Sequence, residues 1–161
     1  MYKRQALGYA EAANIHFELG IIRNHYIGRT FIQPTQQGRN DSVKMKHNAN
    51  SATVYGKRVV LVDDSIVRGT TSRKIVAMMR AAGATEVHMR IASPPTTNPC
   101  FYGVDTPDKD QLIAAKLDID AIAKEIGADS LAFISIGGLY RAMGEAGRNS
   151  DRPQFCDACF T

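Results

Sequence analysis

Cysteine is scarce in this chain of 161 residues: Cys100, Cys156 and Cys159 are the only three. An odd and small number excludes a disulfide framework of the kind that staples small secreted domains. Long apolar runs are missing too. No stretch approaches the roughly 18 uninterrupted apolar residues that a membrane helix requires. The start, Met1-Tyr2-Lys3-Arg4-Gln5, is not followed by an apolar signal core and a small-residue cleavage site. These absences make a cytoplasmic protein without a membrane partner the expectation. Acidic residues are lacking in one region: from Arg23 to Arg58 seven basic residues (Arg23, Arg29, Arg39, Lys44, Lys46, Lys57 and Arg58) face a single acid, Asp41. Aromatic residues are absent between Gln33 and Thr53, which disfavours a stacking platform for single-stranded nucleic acid. A polyanionic small molecule, or an ordinary solvated loop, remains for that basic segment.

The residues that are present describe a soluble globular chain, 44% hydrophobic and 22% charged, about the size of one domain. There is no internal repeat and no low-complexity linker. Ala6 to Asn14 reads as the end of a short helix and Ile15 to Ile22 as a strand. From Gly28 to Ser51 periodicity disappears, leaving about two dozen residues of loop, longer than compact domains carry without a functional reason. Arg58 to Val62 is a β-branched apolar run that suits a parallel strand covered on both faces. Ser72 to Ala82 has helical spacing, with Ile75, Val76, Met79 and Ala82 on one side and Gly83 as its stop. Val87 to Ala92 is the next strand. Strand, glycine turn, helix and strand form a βαβ unit and predict a parallel sheet in an α/β fold. Asp118 to Ile126 reads as a helix closed by Gly127, and Leu139 to Met143 as a short one.

The chemistry concentrates where the Arg58–Val62 strand ends. Ligands of open α/β sheets bind beyond the carboxyl ends of strands, which is where Asp63 and Asp64 stand. The following turn, Ser65-Ile66-Val67-Arg68-Gly69-Thr70-Thr71, leads into a helix N-terminus whose unpaired N–H groups and dipole favour an anion. Gly69 permits close approach of a phosphate, and the Thr70 and Thr71 hydroxyls add donors. The two carboxylates can accept hydrogen bonds from sugar hydroxyls or help to hold hydrated Mg²⁺. Such a set describes a sugar with vicinal hydroxyls, a 5′-phosphate and a magnesium-bound diphosphate. A lone Asp-Asp pair also arises as a helix cap, and it resembles the acidic pocket of receiver domains. A receiver needs a phospho-accepting aspartate on a later strand, whereas Val87–Ala92 runs into Ser93-Pro94 with no acid.

Taken whole, the run Val59 to Thr71 resembles the signature of type I phosphoribosyltransferases, and in its Asp-Asp-Ser-Ile-Val-Arg-Gly-Thr-Thr form it is similar to that of the glutamine phosphoribosyl-pyrophosphate (PRPP) amidotransferases. Gly28-Arg29-Thr30-Phe31-Ile32-Gln33-Pro34, Pro99-Cys100-Phe101-Tyr102-Gly103-Val104-Asp105 and Gly127-Ala128-Asp129-Ser130-Leu131 extend the resemblance, which runs from Ala6 to Thr161. It implies a type I phosphoribosyltransferase fold, a Rossmann-like parallel sheet with flanking helices and a partly irregular helical C-terminal extension. The implied division is 1–105 as a partial phosphoribosyltransferase domain, with a flexible loop at 29–50 and a PRPP loop at 59–71, and 106–161 as the extension. It further implies that Asp63 and Asp64 contact the ribose hydroxyls and the Mg²⁺ site, that Ser65 belongs to the substrate-binding run, that Val67, Arg68, Gly69, Thr70 and Thr71 surround the 5′-phosphate, and that Arg29, Lys44 or Lys46 stabilises the departing pyrophosphate. The implied reaction joins PRPP and ammonia to give phosphoribosylamine in purine synthesis. No protein nucleophile is needed, so His16, His25, His47 and His88 are expected to be structural or surface residues. Purine nucleotides are the implied feedback inhibitors and a homo-oligomer the implied state of the full-length enzyme.

The Cys156-x-x-Cys159 pair is by itself ambiguous among zinc, redox and iron–sulfur roles, or free thiols. A thioredoxin-like role is disfavoured, because no strand precedes the pair. One branch of the amidotransferases holds a 4Fe–4S cluster on four cysteines. Cys100, Cys156 and Cys159 match three of them, and the fourth family ligand is expected outside this chain. The family's glutaminase domain, which supplies the ammonia, and the early part of its transferase sheet have no counterpart here. The expectation is therefore an N-terminally truncated chain. A non-catalytic PRPP- or nucleotide-binding module of the same fold is the alternative.

Overall fold

The computed structural model describes residues 3–23 and 47–161. A first helix, α1 (Lys3–Ala12), leads through an irregular stretch to β1 (Ile21–Arg23), which pairs antiparallel with β2 (His47–Ala49). The sequence-based strand thus shrinks to its last residues. Ile15 and Leu19 are about half exposed, so 15–20 lacks the burial that would hold a strand. The sequence-based loop is shorter at its far end, because β2 and a single helical turn, α2 (Ser51–Val54), already belong to ordered structure. Residues 28–46 of that loop lie outside the described residues.

The centre is a three-stranded parallel sheet in the order β3 (Arg58–Asp63), β4 (Glu86–Ile91) and β5 (Ser130–Phe133). Arg58 to Asp63 of β3 pair in register with Glu86 to Ile91. In β4, Val87, Met89 and Ile91 are buried and alternate with half-buried Glu86, His88 and Arg90, the period-2 pattern of a strand with one apolar face. The expected βαβ unit is present. Its helix, α3 (Thr70–Ala81), buries Val76 and Met79 against the sheet. The helix stops before Gly83, whose φ of +94° few other residues adopt.

Helix α4 (Ile119–Ile126) packs beside α3. Its start is fixed by Asp118, whose side chain accepts the Ala121 N–H at 2.7 Å. Its end is held by α3: Arg80 donates to the Gly127 carbonyl at 2.9 Å and to Asp129 at 2.8 Å, and Arg73 pairs with Glu125. Ile122, Ala123 and Ile126 complete one core with Val76, Met79, Val87, Met89 and Ile91. Sequence periodicity gave no hint of β5, because Ser-Leu-Ala-Phe is too short for a strand pattern to stand out. A last helix, α5 (Ile136–Ala142), begins three residues earlier than its apolar spacing suggests, since Ser135 caps it by accepting the Gly138 N–H at 3.0 Å.

Candidate functional site

The buried alternation of β4 sets where β3 ends, and β3 ends in Asp63. The carbonyl of Asp63 accepts the Ala92 N–H at 2.9 Å, the last rung between the two strands. Its carboxylate is folded back over the turn and accepts the Asp64 N–H at 2.9 Å. Burial pushes the Asp63 carboxyl up to about 6; the backbone hydrogen bond opposes this and the Asp64 charge reinforces it. Asp64 is exposed, and its Oδ1 accepts the Ser65 hydroxyl at 3.2 Å. One carboxyl is therefore sheltered and the other faces water, one residue apart.

The loop beyond is anchored, not floating. Ile66 is only 2% exposed and inserts into the core. The Val67 carbonyl accepts the Ile113 N–H at 2.9 Å, tying the loop to a short 3₁₀ turn (Ile113–Ala115). These two fastenings present Gly69 at the start of α3 with φ of +75°, and no side chain caps the helix there. The first N–H groups of an α-helix have no partner within it, so a glycine with left-handed φ followed by Thr70, Thr71 and Ser72 forms a concave donor surface for an anion. A Cβ at Gly69 would stand 2.8 Å from Ile113 Cδ1. Exposed Thr70 and Thr71 place their hydroxyls on the first turn, and Arg68 is exposed beside them.

An acid pair at a parallel strand's carboxyl end, followed by an anion cradle, is a sugar-phosphate arrangement. The phosphoribosyl transferase domain model matches residues 6–93, which contain all of it. The chain belongs to the phosphoribosyl transferase domain family. It is 66% identical to the amidophosphoribosyltransferase of Rhizobium etli over 157 residues, 97% of this chain and 32% of that protein. It is 56% identical to the amidophosphoribosyltransferase of Bacillus subtilis over 156 residues, 97% of this chain and 33% of that one. The solved structure of the Bacillus subtilis glutamine PRPP amidotransferase complexed with ADP and GMP superposes with a TM-score of 0.82, covering 97% of this chain and 34% of that one. The chain thus spans about a third of the length of the curated relatives it matches, and it shares the fold of the part it matches.

Of the site residues read from the sequence, the domain brings Asp63, Asp64, Ser65, Val67, Arg68, Gly69, Thr70 and Thr71 together in one turn. Arg29, Lys44 and Lys46 lie outside the described residues. Cys100 and Cys159 are half-buried and Cys156 is exposed, all as free thiols. The Cys159 carbonyl accepts the N–H groups of Thr97 and Asn98, at 2.9 and 3.1 Å, which brings the cysteine pair to the segment carrying Cys100. The Cys100 sulfur accepts the Tyr102 N–H at 3.4 Å, and backbone donors of Tyr102, Val104 and Gly103 lower its pKa. The Cys159 thiol is raised, first by burial and then by its neighbours Cys100, Cys156 and Asp157. Among the described residues no three His, Cys, Asp or Glu side chains close around a single ion.

Sequence reasoning passed over Ser93 in this domain. Its Oγ is buried two residues beyond β4, at the same sheet end as Asp63, and has no hydrogen-bond partner among the described residues. The Ser93-Pro94 dipeptide after an apolar strand was the available signal. An unpaired buried hydroxyl costs stability. Ser93→Ala is therefore expected to leave stability unchanged or to raise it by up to about 1 kcal/mol, a rise in melting temperature of at most about 2–4 °C at this chain length. A thermal melt showing clear destabilisation would place a hidden partner on that hydroxyl.

Proposed function

We propose that this domain carries the PRPP site of an amidophosphoribosyltransferase. Ammonia, released from glutamine by a separate glutaminase domain, attacks the anomeric carbon of PRPP. A C–N bond forms, the C–O bond to the diphosphate breaks, the new ammonium group gives up a proton to water, and 5-phosphoribosylamine and pyrophosphate leave, as de novo purine synthesis requires. The observation that carries the reading is the acid pair Asp63-Asp64 placed one turn from the Gly69–Thr71 cradle, within a sequence 66% identical to an amidophosphoribosyltransferase.

The cradle holds the 5′-phosphate through the N–H groups at the start of α3 and the hydroxyls of Thr70 and Thr71, with Ser65 and Arg68 at its rim. Asp63 and Asp64 accept hydrogen bonds from the ribose hydroxyls and fix the ring relative to the leaving group, so the catalytic gain is chiefly positional. Mg²⁺, for which the two carboxylates are suitable oxygen donors, neutralises diphosphate charge when bound. Arg29, Lys44 and Lys46 are the proposed cations that stabilise the departing pyrophosphate. Cys100, Cys156 and Cys159 are proposed ligands of a 4Fe–4S cluster whose fourth thiolate lies outside this chain. The donor set fits this group: all three are free thiols, two of them are brought alongside the third, and a cluster binds each thiolate to a different iron and so spreads its ligands wider than one ion does. Purine nucleotides are proposed as feedback ligands, the cytoplasm as the location and a homo-oligomer as the working state of the whole enzyme.

Calorimetric titration of the chain with PRPP, with and without Mg²⁺, tests the site. Wild-type protein should bind. The Asp63→Asn/Asp64→Asn double variant should bind at least about tenfold more weakly, as expected when charge-assisted bonds to a ligand are lost. Equal affinity in the two proteins would remove the site assignment.

A further inference from the structure

The last residues of the chain are fastened by groups that the PRPP site does not use. Asp157, inside the Cys-x-x-Cys turn, is 6% exposed. Its Oδ2 accepts the Tyr140 hydroxyl at 3.0 Å and Arg148 Nε at 2.5 Å, and Arg148 Nη2 lies 3.4 Å from Oδ1. Tyr140 is 1% exposed, its hydroxyl is also 3.1 Å from the Phe155 carbonyl, and its ring leans on Phe155 with centroids 5.5 Å apart. At the far end of the turn the Cys159 carbonyl receives the Thr97 and Asn98 N–H groups, and Asn98 Nδ2 donates to the Thr161 carbonyl at 2.7 Å. Cys100 is held separately, its N–H donating to Thr106 Oγ1 at 2.7 Å.

A carboxylate taken out of water needs compensation, and removing one partner of a buried pair leaves an uncompensated charge that disrupts the local structure. Asp157 has its compensation from two directions, helix α5 through Tyr140 and the following loop through Arg148. The backbone on either side of it is thereby fixed, with Cys156 exposed and Cys159 half-buried. We infer that Asp157 is a positioning residue for the cysteine pair: the Tyr140–Asp157–Arg148 lock sets the two thiols in place beside the Cys100 segment before any metal arrives. Where it concerns an iron–sulfur cluster, this rests on the reading above; where it concerns the thiols alone, it does not.

The test is per-cysteine alkylation of the whole metal-free chain by iodoacetamide under anaerobic reducing conditions, followed by mass spectrometry. In the wild type, exposed Cys156 should react faster than half-buried Cys159. Asp157→Ala should raise the Cys159 rate by roughly ten- to a hundredfold, the range expected when a charged buried hydrogen-bond partner is removed and the turn opens locally. Cys100, whose own segment is fastened by Thr106, should change by no more than about twofold, because a local opening is confined to one contiguous unit. Arg148→Gln should produce a smaller rise at the same residue, and it carries the test if Asp157→Ala does not fold. A parallel rise at all three cysteines would mean general loosening and would overturn the lock, as would an unchanged Cys159 rate in both variants. Reconstitution with iron and sulfide, read by visible absorption, is a separate arm. Failure there strikes the cluster reading, while the alkylation contrast still decides the lock.

Discussion

At pH 7.5 the Asp63→Asn variant is expected to melt higher than the wild type while losing affinity for PRPP. The reason lies in the geometry at the end of β3. Burial pushes the Asp63 carboxyl up to about 6 from an ordinary 3.8. An acid whose folded-state pKa exceeds its unfolded value favours the fold while protonated, and that contribution disappears as pH rises through the folded value. Stability should therefore decline between about pH 4 and pH 6 in the wild type and remain flat across that window in Asp63→Asn. Full conversion of the shift gives about 3 kcal/mol, and the partial contact of Asp63 with water reduces the gain to about 1–2 kcal/mol. At this chain length that corresponds to a rise of roughly 2–8 °C. The Asp64 N–H that Asp63 Oδ1 accepts can be accepted equally by the asparagine oxygen, so the turn is retained. Thermal melts from pH 4 to pH 8 measure the difference. Curves that stay parallel, or a variant that melts lower at pH 7.5, would show that Asp63 carries no such burden. Together with weakened binding, a higher melting temperature would mark Asp63 as a residue kept for its ligand at the expense of the fold.

Gly69→Ala is expected to do the opposite, lowering stability and binding together. An L-residue at φ of +75° costs about 1–2 kcal/mol, a fall of roughly 2–8 °C. The added methyl would also press on Ile113 Cδ1, 2.8 Å away, and Ile113 is the residue whose N–H holds the Val67 carbonyl. Ile113 must give way at its side chain or move with its backbone, and its backbone is what anchors the loop. Thr70, Thr71 and the first N–H groups of α3 would then be displaced from the phosphate, and PRPP affinity should fall by more than stability alone explains, about tenfold or beyond. Calorimetry at a temperature where both proteins are fully folded separates the two effects. Undiminished affinity would place the phosphate elsewhere.

Much of this was legible in the residues themselves. Val59 to Thr71 announced a strand, an acid pair and an anion-binding turn, because each of those steps has a local chemical signature. The helix of the βαβ unit was equally plain from the spacing of Ile75, Val76 and Met79. The misses share a different cause. Ile15 to Leu19 has strand-like composition but pairs with no strand among the described residues, and pairing is not written in a segment's own sequence. Ser130–Phe133 is a strand only because β4 lies beside it. Ser93 stands out only once its hydroxyl is seen to be buried, and Asp157 only once Tyr140 and Arg148, from 17 and 9 positions away in the chain, are seen to converge on it.

The strict alternation of β4 has a consequence for how faithfully the acid pair is placed. A slip of β4 by one residue against β3 would drive Glu86, His88 and Arg90 into the core and Val87, Met89 and Ile91 out of it. A slip of two residues keeps the faces and re-forms the ladder, but it moves the strand by about 6.6 Å, leaves its end residues unpaired and breaks the packing of the core. Placement of Asp63 opposite Ile91 is therefore quantised. Molecules in a population should hold the acid pair at one height or fail to assemble the sheet, and damage to the strands should reduce the number of working sites without blurring the geometry of those that remain.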